Sequence, residues 1–282
     1  MAEEKIKNID LSMIDEFPDH PFKVIENDEL RELSESIKEK GILVPLIVRE
    51  KEDGRYEMLS GHRRMKASEL ADIRSVPCVV KKLDDDEATI IMVDSNLQRE
   101  EILPSERAHA YKMKLEALNH QGKSTSRQVV GKLESADLVG NETGDSGRQV
   151  QRYIRLTYLI PELLDMVDEK KIAFNPAVEI SYLTEDEQYI LLDCIEYNDA
   201  TPSHAQAIQL KKISQNVGLD EDTIDDILSQ EKPNQIPKLK FNEARIRSVL
   251  PKNIQNDNIE NFIIKAVEHY TNYLKNKNRE ER

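Results

Sequence analysis

The tetrapeptide Gly61-His62-Arg63-Arg64 falls where one hydropathy period gives way to another. Tyr56–Ser60 alternates like a half-buried strand, and Met65–Leu70 continues as a helix. A glycine between strand and helix lets the backbone approach a ligand closely. Arginines in the first helical turn add forked donors to the free N–H groups there, and the combination suits phosphate. For four residues taken alone, a surface turn with solvated arginines is the competing account.

The surrounding pattern gives this turn a setting. Ile6–Leu11, Leu46–Arg49, Tyr56–Ser60 and Val76–Lys81 are expected as short strands. Asn27 can cap a helix that Gly41 ends, with Leu30, Leu33 and Ile37 on one stripe. A second helix follows Asp84-Asp85-Asp86 and is apolar on two sides, so it is expected between neighbours. A third opens at Pro104. Gln121–Thr125 breaks the pattern and suggests a boundary. Beyond it no strand is convincing. Residues 135–147, with Gly140, Gly144 and Gly147, are expected as a loop. Helices are then expected over Ser146–Tyr158, Pro161–Glu169, Pro176–Leu183, Glu185–Tyr197, Ser203–Val217 and Glu221–Ser229. Pro233 and Pro237 mark a linker. Ile259, Phe262, Ile263, Ala266, Tyr270, Tyr273 and Leu274 form one long stripe, which a small unit buries against a partner copy or another domain.

Charge narrows the class. The 282 residues carry a net charge of −14, which argues against coating nucleic acid everywhere. The acidity is local, however: residues 159–231 hold 17 Asp/Glu against 4 Lys/Arg, while residues 123–158 hold 6 Lys/Arg against 4 Asp/Glu. A basic face remains free to meet DNA. No apolar run approaches the ~20 residues that span a bilayer, and the N-terminus has no signal-peptide pattern. The expectation is a cytoplasmic protein with no membrane contact. Cys78 and Cys194 are isolated and read as reduced, buried thiols. The histidines show no zinc spacing. Gly122-Lys123-Ser124 is not a P-loop, because Ala117 stands where that motif needs glycine.

Thr125–Thr157 reads as a helix-turn-helix. Its second helix turns Val150, Tyr153 and Ile154 inward and Arg148, Arg152 and Arg155 outward, with Gln149 and Gln151 beside them. Arg and Gln are the side chains that read guanine and adenine edges in the major groove. Thr125, Ser126 and Arg127, at the start of the first helix, complete the candidate DNA-contacting set. The competing account is an ordinary solvated helix face. The expected connection, Glu134–Asp145, is longer than the usual turn. Asp94–Arg99 ends the second helix of the chain, and Ser95 and Asn96 there either meet a phosphate or Mg²⁺ or simply cap the helix.

The run Leu30–Arg49, closing on Gly41-Ile42-Leu43-Val44-Pro45-Leu46-Ile47-Val48-Arg49, then Gly61–Arg64, then Ser95-Asn96-Leu97-Gln98-Arg99-Glu100, resembles the ParB/Spo0J family of partition proteins. Order, spacing and the helix-turn-helix that follows all agree, specifically over residues 5–175 and thinly beyond. The resemblance implies an α+β chain: a mixed ParB/sulfiredoxin-like nucleotide-binding domain (1–120), an all-α helix-turn-helix domain (121–230), and a linker with a small C-terminal dimerisation segment (231–282). It implies CTP with Mg²⁺ as ligands, and as partners a parS-like palindrome in double-stranded DNA, a second copy of the chain and a ParA-type ATPase. In that family DNA recognition promotes closure into a clamp that slides, and CTP hydrolysis helps open it. Carried over, Gly41, Val44 and Pro45 line the nucleotide. Gly61, His62, Arg63 and Arg64 form the phosphate-binding turn. Asn96 lies near the triphosphate and, through phosphate, the Mg²⁺. It is the one candidate for a catalytic role, with Ser95, Gln98 and Arg99 completing the motif.

Two departures stand out. Ser95 replaces the motif glutamate, which removes a strong Mg²⁺ ligand and bears on hydrolysis more than on binding. Asp94 points about 100° away on an ideal helix. His20-Pro21-Phe22-Lys23-Val24 replaces the family's NPxQPR stretch, which bears on nucleotide identity. Two alternatives stay open. One is a sulfiredoxin-like nucleotide-dependent phosphotransferase, which needs a cysteine where His62 stands. The other is a nucleoid-occlusion or silencing DNA binder without a segregation role.

Overall fold

A computed structural model describes residues 6–99, 102–124, 132–141, 143–230, 250–251 and 259–280. Its first part carries β1 (Ile6–Asp10), β2 (Ile14–Asp15), α1 (Asp28–Lys40), β3 (Leu46–Glu50), β4 (Tyr56–Ser60), α2 (His62–Leu70), β5 (Ser75–Lys81), α3 (Asp85–Leu97) and α4 (Pro104–Ser124). The second is helical: α5 (Lys132–Asn141), α6 (Gly147–Arg155), α7 (Pro161–Asp168), α8 (Phe174–Ile180), α9 (Glu185–Asn198), α10 (His204–Asn216) and α11 (Glu221–Leu228). This is the α+β class expected. Two compact units divide at residue 230/231. In the second, α12 spans Ile259–Glu280 and leaves Phe262, Ile264, Val267, Tyr270 and Tyr273 exposed.

The sheet runs β1-β5-β3-β4-β2. β3 and β4 pair antiparallel, while β3 pairs parallel with β5. A parallel partner needs a crossover, and α2 lies within it, so the turn at Gly61 is where the chain leaves the sheet to make that crossing. Leu46, Val48, Met58, Val76 and Cys78 form the core on the sheet. α1 is built as its ends predict: Asn27 Oδ1 accepts from the Leu30 N–H at 3.0 Å, and Gly41 closes the helix at φ +71°. α3 opens on a reciprocal capping box between Asp84 and Glu87.

A second core joins Phe17, Phe22, Leu59, Ala88, Met92, Tyr111, Val139 and Val150. It runs from the loop beside the sheet, through α3 and α4, into α5 and α6. A third, around Leu156, Leu163, Ile180, Leu191 and Leu210, holds the remaining helices.

Three expectations change. α5 occupies most of residues 135–147, where a loop was expected. Its glycine is there for approach: a Cβ on Gly140 would meet the Asp145 carbonyl oxygen at 2.2 Å, and one on Gly147 would meet Asp137 Oδ1 at 2.3 Å. Only Gly144, at φ +77°, serves a turn. The connection expected over Glu134–Asp145 is therefore confined to the few residues between Asn141 and Gly147. The helix expected from Pro176 begins at Phe174, and the two-residue β2 was too short to show periodicity. α4 also continues through residue 120 to Ser124, across the place where the pattern breaks. Thr125, Ser126 and Arg127, with Val129 and Val130, lie outside the described residues, as do Glu100 and the linker prolines Pro233 and Pro237.

Candidate nucleotide and nucleic-acid sites

Gly61 sits at φ +110° and ψ +20° as the residue before α2, and no side chain caps that helix start. A Cβ there would come 3.0 Å from Leu46 Cγ and 3.3 Å from Arg64 Nη2. Only glycine combines that φ with that space. The turn therefore offers uncapped N–H groups at the positive end of a helix dipole.

Arg64 reaches back from α2 and donates from Nη1 to the carbonyls of Val44 and Pro45, the latter at 2.8 Å. Burial pulls its guanidinium pKa below the ordinary value. The stretch Gly41–Pro45 is thus pinned to α2 by a charge held partly out of water, while Leu43 and Val44 stay exposed. Arg63 pairs with Glu29 of α1 at 3.1 Å, both at the surface.

His62 turns inward. It is 6% exposed and lies against His20, with ring centroids 3.8 Å apart and ring planes tilted by 36°. His20 in turn packs edge-on against Phe22 at 5.6 Å. Among the described residues neither ring nitrogen of His62 has a hydrogen-bond partner, nor does Nε2 of His20. Arg99, just past α3, lies over the Phe22 ring at 5.4 Å. Burial lowers its pKa, Glu106 opposes that and Arg63 adds to it. Arg63, Arg99, His62 and His20 thus gather at the Gly61 turn. His20 appeared in the sequence only as a departure from a family motif. Nothing in hydropathy or spacing could place it against His62.

Asn96 is buried, and its Nδ2 donates to Met92 O at 2.8 Å; Ser95 Oγ donates to the same carbonyl at 2.9 Å. Both side chains serve the end of α3 as drawn, and Gln98 caps it from an exposed position. Among the described residues no group of three His, Cys, Asp or Glu is placed to hold a metal. Asn96 and Ser95 supply neutral oxygens only, a set that suits Mg²⁺ held chiefly by phosphate oxygens.

At the far end of the second core, α6 begins quite differently. Ser146 Oγ accepts from Gln149 N at 3.2 Å, and Asp137 accepts from Gly147 N at 2.7 Å. The turn before it is tied to α4: Tyr111 Oη donates to Asp145 Oδ2 at 2.6 Å. Arg148 is exposed, and Gln149 and Gln151 are half-buried. Arg152 donates to Gln149 and Asn175 and lies over the Phe174 ring. Arg155 is drawn furthest in, bonded to Ser181 and set between the Tyr158 and Tyr182 rings at 4.4 and 4.0 Å. The three arginines placed on one face by spacing therefore grade from solvent-facing to internally held.

No helix among the described residues is long and apolar enough to cross a membrane. A family model described as the ParB N-terminal domain matches residues 1–97. The chain is 35% identical to the chromosome-partitioning protein Spo0J of Thermus thermophilus, over 68% of this chain and 65% of that one. It is 31% identical to a probable chromosome 1-partitioning protein ParB of Deinococcus radiodurans, over 76% and 69%. It is 32% identical to the nucleoid occlusion protein of Listeria innocua, over 70% and 66%. The chain thus spans about two thirds of the length of these relatives. A C-terminally truncated ParB of Caulobacter crescentus, solved with CTP-γ-S, is similar at 26% identity and a TM-score of 0.32, over 66% of this chain and 96% of that one. The identity to the Deinococcus protein across more than two thirds of its length leads to one conclusion: the chain belongs to the ParB family of chromosome-partitioning proteins.

Proposed function

We propose that this chain is a centromere-binding partition protein, a dimer that grips double-stranded DNA at a parS-like palindrome and is switched by CTP with Mg²⁺. The observation that carries the proposal is the Gly61 turn: an uncapped helix start with Arg63, Arg64 and Arg99 gathered at it. Charge-assisted bonds from a guanidinium fork and backbone N–H groups are a phosphate-binding set. The identity of the base, cytosine, rests on the family.

Within this proposal residues 1–120 hold the nucleotide, 121–230 the DNA, and 231–282 the dimer contact. Arg64 exchanges the Val44 and Pro45 carbonyls for phosphate oxygens, which frees the Gly41–Pro45 stretch to close over the ligand. His62, Arg63 and Arg99 line the same tail, and Asn96, with Ser95 and Gln98 beside it, orients the metal-bearing side. Arg148, Gln149 and Gln151 read base edges, Arg152 and Arg155 position the backbone, and Thr125, Ser126 and Arg127 contact the flanking phosphate. The exposed apolar residues of α12 supply the homodimer face, and a ParA-type ATPase is the segregation partner.

CTP titrated into the protein with and without DNA carrying its co-purifying site tests this. DNA-stimulated CTP binding, lost in Arg64→Ala, is the expected result. Failure to bind CTP under either condition overturns the switch. Ser95 removes the motif carboxylate, so turnover is slow and Ser95→Glu raises it, measured as phosphate release. The nucleoid-occlusion relative favours a second use of the same device without segregation, which a missing ATPase gene beside this one would support. The phosphotransferase alternative lacks its nucleophile: Cys78 is buried in β5, and burial pushes its thiol up to about 11.

A further inference from the structure

Three imidazole nitrogens at the start of α2 have no hydrogen-bond partner among the described residues. They are Nδ1 and Nε2 of His62 and Nε2 of His20. Leaving a polar atom buried without a partner forfeits the hydrogen bond it makes to water in the unfolded chain. Two apolar rings would fill the same space without that cost. Among the described residues the charged group acting on both rings is Arg99, at the end of α3, which in turn feels Arg63 of α2 and Glu106 of α4. The Glu106 carboxylate accepts from the backbone N–H groups of Lys23 and Leu103, at 2.9 and 3.1 Å, so it ties the His20 loop to α4.

We infer that His20 and His62 act as one unit of the phosphate site, and that the pair takes up a proton from solvent when a polyphosphate docks at the start of α2. This rests on the nucleotide reading above and adds a residue and a proton to it. Without ligand, burial holds both rings neutral, His20 at about 4 and His62 at about 3, with Arg99 acting in the same direction. A polyphosphate brings the opposite charge to the same place, which favours the imidazolium form. A protonated imidazole has two N–H donors. A nitrogen with no partner then becomes a donor, to a phosphate oxygen or to the neighbouring ring. The only bond made is N–H, and the proton is the only species gained.

Binding that takes up a proton strengthens as pH falls, by up to about tenfold per unit for one full proton. Calorimetry on the full chain, with CTP and Mg²⁺ in buffers of different ionisation enthalpy, measures the uptake directly. Because CTP ionises too, the quantity read is the difference between the wild-type protein and His20→Gln. The expected result is a positive difference, up to one proton, that appears also with inorganic triphosphate as the probe. The protein's own proton uptake is smaller or absent in His62→Gln as well. A second readout does not need the ligand. The ligand-free fold loses stability as pH falls from about 6.5, the unfolded value, toward 4 and below, because only the unfolded state then binds protons at these rings. His20→Gln flattens that loss. If CTP binds with the same proton count in the wild type and in His20→Gln, the inference fails and the nucleotide reading stands. If CTP does not bind at any pH, both fail.

Discussion

α2 and α6 are each nine residues long and each carries arginines from its first turn, but they pack into different cores: Met65 and Ala67 of α2 belong with the sheet and α1, Val150 of α6 with α3 and α4. They open in opposite ways. α2 begins on Gly61 with no side chain closing its N–H groups. α6 begins on Ser146, whose hydroxyl accepts from Gln149, while Asp137 occupies the Gly147 N–H. An open helix start can bind an anion through its backbone. A closed one cannot, and must recognise its partner through side chains. On the proposed function the same arginine-rich composition serves two kinds of contact, and the residue before each helix decides which.

The largest effect should come from filling the open start. Gly61→Ala places a Cβ against Leu46 at a φ that L-residues rarely adopt, and is expected to abolish CTP binding in a titration while costing about 1–3 kcal/mol in denaturant unfolding. Arg64→Ala removes a forked charge-assisted donor, for an expected loss of CTP affinity of about 10–100-fold from the 1.5–3 kcal/mol typical of such bonds. Arg64→Lys restores little of it, since a single ammonium cannot reproduce the fork. At the closed start, Arg148→Ala should weaken site-specific DNA binding by about tenfold or more, consistent with 1–3 kcal/mol for a good base contact. Fluorescence anisotropy on specific and random duplexes checks it, and equal loss on both would mean that Arg148 meets phosphate instead. Ser146→Ala is expected to be the mildest: about 1 kcal/mol of stability, read as a lower melting temperature, with CTP affinity unchanged. A Ser146→Ala protein that lost CTP binding would break the contrast between the two helices.

Much of the fold could be read in advance because local chemistry is consistent in the first part of the chain. Asn27, Gly41, Asp84 and Pro104 mark element ends by rules that act within a few residues. The Gly61 turn was legible for the same reason. Two things were not. Gly140 and Gly147 looked like loop residues, whereas their role is to let α5 and α6 approach at distances a Cβ would forbid. That is a tertiary constraint with no local signature. The ring contact of His20 with His62 joins residues far apart in the chain through a loop with no periodicity. Arg155 shows the same limit from the other side: helical spacing places it beside Arg148 and Arg152, but only the neighbouring helices reveal that Ser181, Tyr158 and Tyr182 hold it.

Phe22, Met92, Tyr111 and Val150 belong to one core, which runs from the His20–Phe22 loop, set against His62 of α2, to α6. Side chains wedged at crystal-like density transmit a displacement rather than absorb it. Slow amide exchange should therefore rise in α6 when only nucleotide is added, and in the His20–Phe22 loop when only duplex is added, as though a single clasp had been fastened from either side.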